Sequence, residues 1–415
     1  MRLAKETPTP EERMTRRRAH IAMVSIPAPG HVNPSIEVIR ELAARGHRVT
    51  YANDPSYAGI VAEAGAEPVL YDSLLPKVDS GTWPEDAIGQ LDLFLRDAMA
   101  MLPTLRAAYE DDRPDLFLYD IGGYAVRVLA ENWGIPLMQL SPTYVAWEGY
   151  REDMAPMIEE LGKAPGGAEH YRRFDEWLSA SGVGHLDSHE FSGRPPRALA
   201  LIPKVMQPNA DRVDPARITF TGPCFSVRPR QEPWKRPEGA GKVLLVSLGS
   251  TFTDVPDFYR ACLAAFGDLP GWHVVLQIGR HIDLEGLGEI PSNVEVHRWV
   301  SQLSILEQAD AFVTHAGMGG TQEGLYCGVP MIAVPQAADQ FGNADRLVEL
   351  GVGRRVDTAE ATPETLRTAL LDLTGDPEVA ARLAAIQAEA RAEGGTPRAV
   401  ALIEDMLAEA PSRRG

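Results

Sequence analysis

Short apolar blocks alternate along this chain with stretches whose apolar residues recur every three or four positions. The first block, His20-Ile21-Ala22-Met23-Val24-Ser25-Ile26, is of the kind that buries in a parallel sheet. It breaks at Pro27-Ala28-Pro29-Gly30. Asn33-Pro34-Ser35 then opens a helix, with Ile36, Val38, Ile39 and Leu42 at roughly helical spacing. Gly46 closes that helix and Arg48-Val49-Thr50-Tyr51-Ala52 follows as a strand, which completes a βαβ unit. Residues 68–71, 116–119 and 137–140 read as further strands, and residues 124–133 as a helix.

A second βαβ series starts at Lys242-Val243-Leu244-Leu245-Val246-Ser247. It continues through strands at 272–278, 294–297, 311–314 and 331–334, with amphipathic helices between them. The pattern therefore predicts an α/β protein of two tandem Rossmann-like domains, residues 19–221 and 242–395. Residues 222–241 hold four prolines and are mostly polar, as suits a linker. Residues 376–410 are Ala/Glu/Arg-rich at helical spacing. Gly394-Gly395-Thr396-Pro397 splits them, so that residues 396–415 form a separate last helix and tail. The polar residues 1–18, ending Arg16-Arg17-Arg18, read as a disordered tail with Met14 as an alternative start.

Composition narrows the function. A length of 415 residues fits two or three domains. A net charge of −18 argues against a nucleic-acid partner, which needs a basic surface to release counterions. Cys224, Cys262 and Cys327 are too few and too scattered for a disulfide framework or a zinc site, which predicts a reducing cytoplasm. No run approaches the roughly 20 apolar residues of a membrane span, and the 20–26 block is too short for a signal peptide.

The strongest chemical signal lies in the second domain. His315-Ala316-Gly317-Met318-Gly319-Gly320-Thr321-Gln322-Glu323-Gly324 joins the 311–314 strand to a helix, with Trp299-Val300-Ser301-Gln302 upstream. Taken alone, the glycines make a tight turn and Trp299 is a core residue. Together these features describe a nucleotide site. Glycines at a helix start leave backbone N–H groups open to a phosphate, and the helix dipole favours its charge. His315 at the lip offers a hydrogen bond or a charge to the same phosphates. Glu323 suits a ribose diol, and Trp299 offers an indole face to a nucleobase.

The block from Trp299 to Gln340 resembles the nucleotide-sugar signature of the inverting glycosyltransferase superfamily that includes plant secondary-metabolite glucosyltransferases. The resemblance implies that Trp299 stacks on uracil, Val300 meets its edge through the backbone, and Gln302 and Glu323 hold the ribose. His315, Gly317, Gly319, Gly320 and Thr321 would hold the pyrophosphate, with Ser250 of Ser247-Leu248-Gly249-Ser250 reaching toward it. Asp339 and Gln340 would hold the sugar hydroxyls. Ser301 stands where many relatives have proline, and Gly319-Gly320 where plant members have Asn-Ser. Both changes keep the backbone donors.

The first domain supplies the base. Gly30-His31-Val32-Asn33-Pro34 follows the first strand, on the carboxyl edge where α/β sheets bind ligands. His31 becomes a general base if its imidazole is held, and Asp120, ending the 116–119 strand of the same sheet, is the candidate holder. His47 lies at the opposite edge and reads as structural. No Asp-x-Asp or clustered ligand set is present, so no catalytic metal is indicated.

From residue 20 to about 410 the likeness is nearest to the bacterial macrolide-inactivating glycosyltransferases of the oleandomycin type. It runs through His31-Val32-Asn33-Pro34-Ser35, residues 41–52, 140–147, 293–297 and 335–345. It implies two domains facing across a cleft (the GT-B fold), with the last helix crossing back to the first domain. It also implies UDP-glucose as co-substrate, a macrolide amino-sugar hydroxyl as acceptor, no tightly bound cofactor, and magnesium as a stimulant at most. A monomer or homodimer fits. Pro29 departs from the histidine that relatives often place there. Residues 74–77, Trp83, 99–101, Tyr144, Trp147 and Tyr150 mark the region expected to receive the acceptor. Three other readings compete: a non-catalytic sugar-nucleotide binder, an epimerase of similar fold, and a biosynthetic glycosyltransferase using another nucleotide sugar or a flavonoid or polyketide acceptor.

Overall fold

The computed structural model describes residues 18–77, 82–225, 233–250 and 253–409. The expected tail, apart from Arg18, and part of the linker lie outside these residues.

Two parallel sheets form the molecule, and their strands follow the same kind of order. The first runs β3 (Glu67–Leu70), β2 (Arg48–Asn53), β1 (His20–Val24), β4 (Leu116–Tyr119), β5 (Leu137–Ser141), β6 (Ala198–Ala200), β7 (Ile218–Phe220). The second runs β10 (Val294–His297), β9 (Trp272–Gln277), β8 (Lys242–Ser247), β11 (Ala311–Thr314), β12 (Met331–Ala333), β13 (Gly353–Arg355). Every pairing is parallel, and the central strands are buried on both faces. In each sheet the chain reverses its winding between two neighbouring strands, β1 and β4 in the first and β8 and β11 in the second. Ligands of such sheets bind beyond the strand ends at these points.

The α/β reading with two Rossmann-like sheets is correct. Strands β6, β7 and β13 were not expected: each is three residues long and lies at or next to the far edge of its sheet. Helix α1 covers Pro29–Ala44 and so begins one turn before the expected start. Pro29 suits the first helical position, where its missing N–H would have no partner anyway. Pro34, inside the helix, forgoes only the bond to Gly30 in the opening turns. His31 therefore sits in the first turn of a helix and not on a loop. Helices α2 (Ala87–Tyr109) and α3 (Tyr124–Trp133) follow in the first half, the second of them at its expected bounds.

The two halves share buried surface. Val145, Ala198, Ala200, Ile202 and Met206 belong to the same apolar cluster as the core of the second sheet. Arg346 donates to the Val205 carbonyl oxygen at 2.8 and 3.1 Å, and the Lys204 backbone N–H donates to Glu393 at 2.8 Å. Burial pushes the Glu393 carboxyl up to about 7. The last two helices, α6 (Pro377–Ala392) and α7 (Gly395–Glu409), break at Gly394-Gly395, both with positive φ. Helix α7 then returns to the first domain. Its Ala399, Val400 and Ile403 bury against Ile36, Ile39 and Leu42 of α1. Glu404, itself buried, accepts from Arg45 at 2.9 Å and lies 3.4 Å from His47 Nε2. His47 belongs to this packing.

Candidate active site

The two switch points carry the residues singled out in the sequence. At the first, β1 and β4 are direct neighbours, with Val24 level with Tyr119. The segments that leave them are therefore neighbours too. Gly122 makes the approach possible: a Cβ there would lie 2.7 Å from Ile26. His31 Nδ1 meets Asp120 Oδ2 in a short contact, while Asp120 Oδ1 accepts from the Gly122 N–H at 3.1 Å. Asp120 is 1% exposed and the His31 side chain 24%, so the carboxylate is enclosed and the ring reaches open space. An ionised carboxylate can only accept, which puts the proton on Nδ1 and leaves the Nε2 lone pair on the other side of the ring.

Beneath this pair lies a buried polar network. Tyr51 Oη sits 2.8 Å from Ser25 Oγ and 3.1 Å from Ser35 Oγ. It thereby ties the end of β1 to α1 one turn past His31. Asn53 donates to Ser25 at both its carbonyl and its hydroxyl.

At the second switch point, Gly317 caps helix α4 (Met318–Cys327) and uses no side chain to do so. The first N–H groups of a helix lack internal partners. Here Gly319 leaves them uncovered, since a Cβ at that position would touch nothing within 4 Å. The His315 ring lies between two glycines: a Cβ on Gly249 would come within 2.6 Å of it, and one on Gly317 closer still. Burial pushes the His315 imidazole down to about 4, the Ser247 carbonyl opposing. It is neutral at pH 7, so it offers a hydrogen bond and not the charge the sequence also allowed. Ser250 stands one residue beyond Gly249, half-buried.

The nucleoside end is also assembled. Trp299, after β10, is 53% exposed, which rules out the core reading of its indole. Gln302 Nε2 donates to Glu323 Oε2 at 2.6 Å, so the pair expected at the ribose is already joined. The Val300 N–H is taken by Gln277 Oε1 at 3.2 Å, so this half of its backbone is committed within the protein.

Asp339 opens onto the cleft just before α5 (Gln340–Glu349). Desolvation raises its pKa above the ordinary carboxylate value, with the hydrogen bond from Asn343 opposing. Across the cleft, α1 of the first half touches α4 of the second. The other expected sugar ligand is partly occupied: Gln340 Oε1 accepts from the backbone N–H groups of Gln336 and Ala337 at 2.8 and 3.1 Å. Thr321 is not brought to the surface. It is fully buried, its hydroxyl finds no partner, and its N–H is spent on the Gly317 carbonyl at 3.0 Å. Of the acceptor-region residues, Met101 is core, while Tyr144 and Trp147 lie partly buried against the apolar cluster that both halves share.

Two residues of this site escaped sequence reasoning, and both are buried amides that join loops. Gln277, closing β9, holds the Gly249 carbonyl at 2.8 Å as well as the Val300 N–H. Asn343 Nδ2 donates to the Ala316 carbonyl at 2.9 Å and to Asp339 Oδ2 at 3.0 Å. The available signal was position: Gln340, Asn343, Ala344 and Leu347 form the buried stripe of α5, where a carboxamide is out of place unless bonded.

Among the described residues, no helix is long and apolar enough to cross a membrane, and no group of three or more His, Cys, Asp or Glu is arranged to hold a metal.

The chain is similar to known proteins in sequence and in fold. Residues 261–406 match the family model described as "Erythromycin biosynthesis protein CIII-like, C-terminal domain". The chain is 57% identical to the oleandomycin glycosyltransferase of Streptomyces antibioticus over 399 residues, covering 95% of this chain and 92% of that one. It is similar to the crystal structure of the glycotransferase of kitacinnamycin, with a TM-score of 0.88 at 58% identity, covering 94% of this chain and all of that one. It is also similar to CalG4, the calicheamicin glycosyltransferase, with a TM-score of 0.84 at 33% identity, covering 95% and 100% of the two chains.

Proposed function

This chain belongs to the glycosyltransferase family that includes oleandomycin glycosyltransferase, and we propose that it transfers glucose from UDP-glucose to a hydroxyl of a macrolide, inverting the anomeric carbon. One observation carries the reading: the His31–Asp120 pair sits at one switch point, and the helix that carries His31 (α1) touches the helix (α4) whose open end marks the other. In this account residues 19–221 receive the acceptor, residues 242–395 hold the donor, and residues 222–241 and 396–415 connect them.

The acceptor hydroxyl lies between His31 and the anomeric carbon. As its oxygen bonds to that carbon, the proton passes to His31 Nε2 and the bond to the UDP oxygen breaks. Asp120, bonded to Nδ1, stabilises the imidazolium. The charge arriving on UDP is met by the open N–H groups of α4 and a hydrogen bond from His315, so no metal is essential. Trp299 stacks on the base, Gln302 and Glu323 hold the ribose, and Asp339 takes the sugar hydroxyls. With donor and base on opposite walls, attack comes from the face away from UDP, and an α-linked donor gives a β-glycoside.

The test is to incubate the enzyme with UDP-glucose and a macrolide panel in EDTA, and to determine product mass and anomeric proton coupling. A hexose adduct with the large diaxial coupling of a β-glucoside is expected. A small coupling would overturn the displacement geometry, and no adduct with any macrolide would overturn the acceptor. The acceptor comes from the likeness to oleandomycin glycosyltransferase and the stereochemistry from the cleft, so the two fail separately. The match of residues 261–406 to a biosynthesis-type domain favours a second reading, a biosynthetic role with another nucleotide sugar. Competition between UDP-glucose and dTDP-sugars separates it.

The donor residues make a further prediction. Stacking on an aromatic is worth about 1–3 kcal/mol per base where it has been measured, so Trp299→Ala should weaken UDP binding about tenfold or more. Glu323→Ala should do likewise, since it also strands Gln302. Calorimetric UDP affinity unchanged in both variants would move the donor elsewhere.

A further inference from the structure

Four non-glycine residues among those described adopt positive φ: Asn209, Asp268, Ala316 and Ala338. Asn and Asp accept this conformation readily, but alanine does not, because its Cβ crowds the backbone. Both alanines stand in the donor loops. Ala316, with φ 59°, separates His315 from Gly317, and Ala338, with φ 54°, precedes Asp339. Strained residues persist where surrounding structure over-determines them. Asn343 is the group that touches both loops. It is 0% exposed, and its one NH2 group divides between the carbonyl of strained Ala316 and the carboxylate after strained Ala338. Both partners are acceptors here, which fixes the orientation of the amide. Turned over, Oδ1 would face two oxygens. In the observed orientation Oδ1 is buried with no partner, so the amide is placed for its donors.

We propose that Asn343 is a positioning residue that joins the phosphate-binding loop at Ala316 to the sugar-binding carboxylate of Asp339, so that diphosphate and hexose are held in one fixed relation. The inference rests on the donor-site reading above. Held through its carbonyl, Ala316 keeps the left-handed turn that aims His315 and presents the first N–H groups of α4. Held through Oδ2, Asp339 keeps a single rotamer and remains an acceptor for sugar hydroxyls.

Replacing Ala316 by glycine removes the need for that hold, because glycine adopts positive φ without strain. The experiment compares Asn343→Ala, Ala316→Gly and the double variant by UDP calorimetry, steady-state transfer from UDP-glucose, and thermal unfolding. Asn343→Ala should weaken UDP binding and lower kcat, each by about tenfold or more, as expected for lost buried hydrogen bonds to strained and charged partners. The acceptor KM should not move. Adding Ala316→Gly should recover most of the UDP affinity while leaving kcat low, since Asp339 is still unheld. If Asn343→Ala does not fold, Asn343→Ser carries the comparison, its short hydroxyl serving at most one of the two oxygens. A lowered unfolding temperature with UDP affinity and kcat unchanged, or a double variant that binds UDP no better than the single, would overturn the proposal. Glu323→Ala separates the two levels. If it weakens UDP binding and Asn343→Ala does not, only the bridge fails; if neither does, the donor-site reading fails first.

Discussion

Replacing His31 by alanine should lower transfer by about 10²–10⁴-fold, the usual worth of a positioned general base, while UDP binds as in the wild type. The split follows from the geometry. His31 stands on α1 of the first half, and the open helix end, His315 and Trp299 belong to the second. Its ring is 24% exposed toward the cleft, so alanine leaves no buried cavity or unpaired donor on the donor wall. The Asp120 carboxylate does lose its partner, and Oδ1 keeps only the Gly122 N–H. A modest fall in unfolding temperature is therefore compatible with the role, because an enclosed charge is left less well satisfied. Single-turnover transfer with saturating UDP-glucose, alongside UDP calorimetry, makes the measurement. A rate within a few fold of wild type would remove His31 from the chemistry.

Asp120→Asn should be nearly as damaging, although it changes one atom. An aspartate that orients a catalytic histidine is worth up to about 10⁴ in rate in the serine proteases. At this site the mechanism of damage is specific. Asp120 Oδ1 accepts the Gly122 N–H, so an asparagine would keep its oxygen there and turn its NH2 toward His31. Nδ1 would then accept instead of donating, the ring would carry its proton on Nε2, and the lone pair needed for the acceptor would be gone. UDP affinity and unfolding temperature should stay close to wild type. A normal rate in Asp120→Asn would show that the tautomer of His31 is set by something else.

The sequence was most legible where burial is two-sided. Strands Leu116–Tyr119, Lys242–Ser247, Val294–His297 and Ala311–Thr314 lie where the apolar runs put them. Three of these are interior strands, buried on both faces, and read as unbroken apolar blocks. The three-residue strands β6, β7 and β13 were not legible, because triplets such as Ala198-Leu199-Ala200 look like any buried loop. The start of α1 was hidden by Pro27-Ala28-Pro29-Gly30, which reads as a turn although its second proline opens the helix.

Within the site, glycines announced the open backbone and pointed to His315 and Glu323. The hydrogen bonds of Gln277 and Asn343 could not be read in the same way. Gln277 reaches Gly249 and Asn343 reaches Ala316, loop positions distant in sequence that come together only once the second sheet has formed. Thr321 misled for a related reason. Its place in the string suggests a phosphate ligand, but helical rotation turns it into the protein.

Arg45 and Glu404 are 359 positions apart, yet they close the same corner of the first sheet. On the ribosome the first half emerges long before the helix that covers it, so the apolar face of α1 waits uncovered while the second half is made. Nascent domains usually fold in order as they appear. Here the first can reach its finished packing only after α7 has been made, and a product stalled or clipped before α7 would expose Ile36, Ile39 and Leu42 to chaperones and proteases. The amino-terminal half is therefore completed only after the second half has been made.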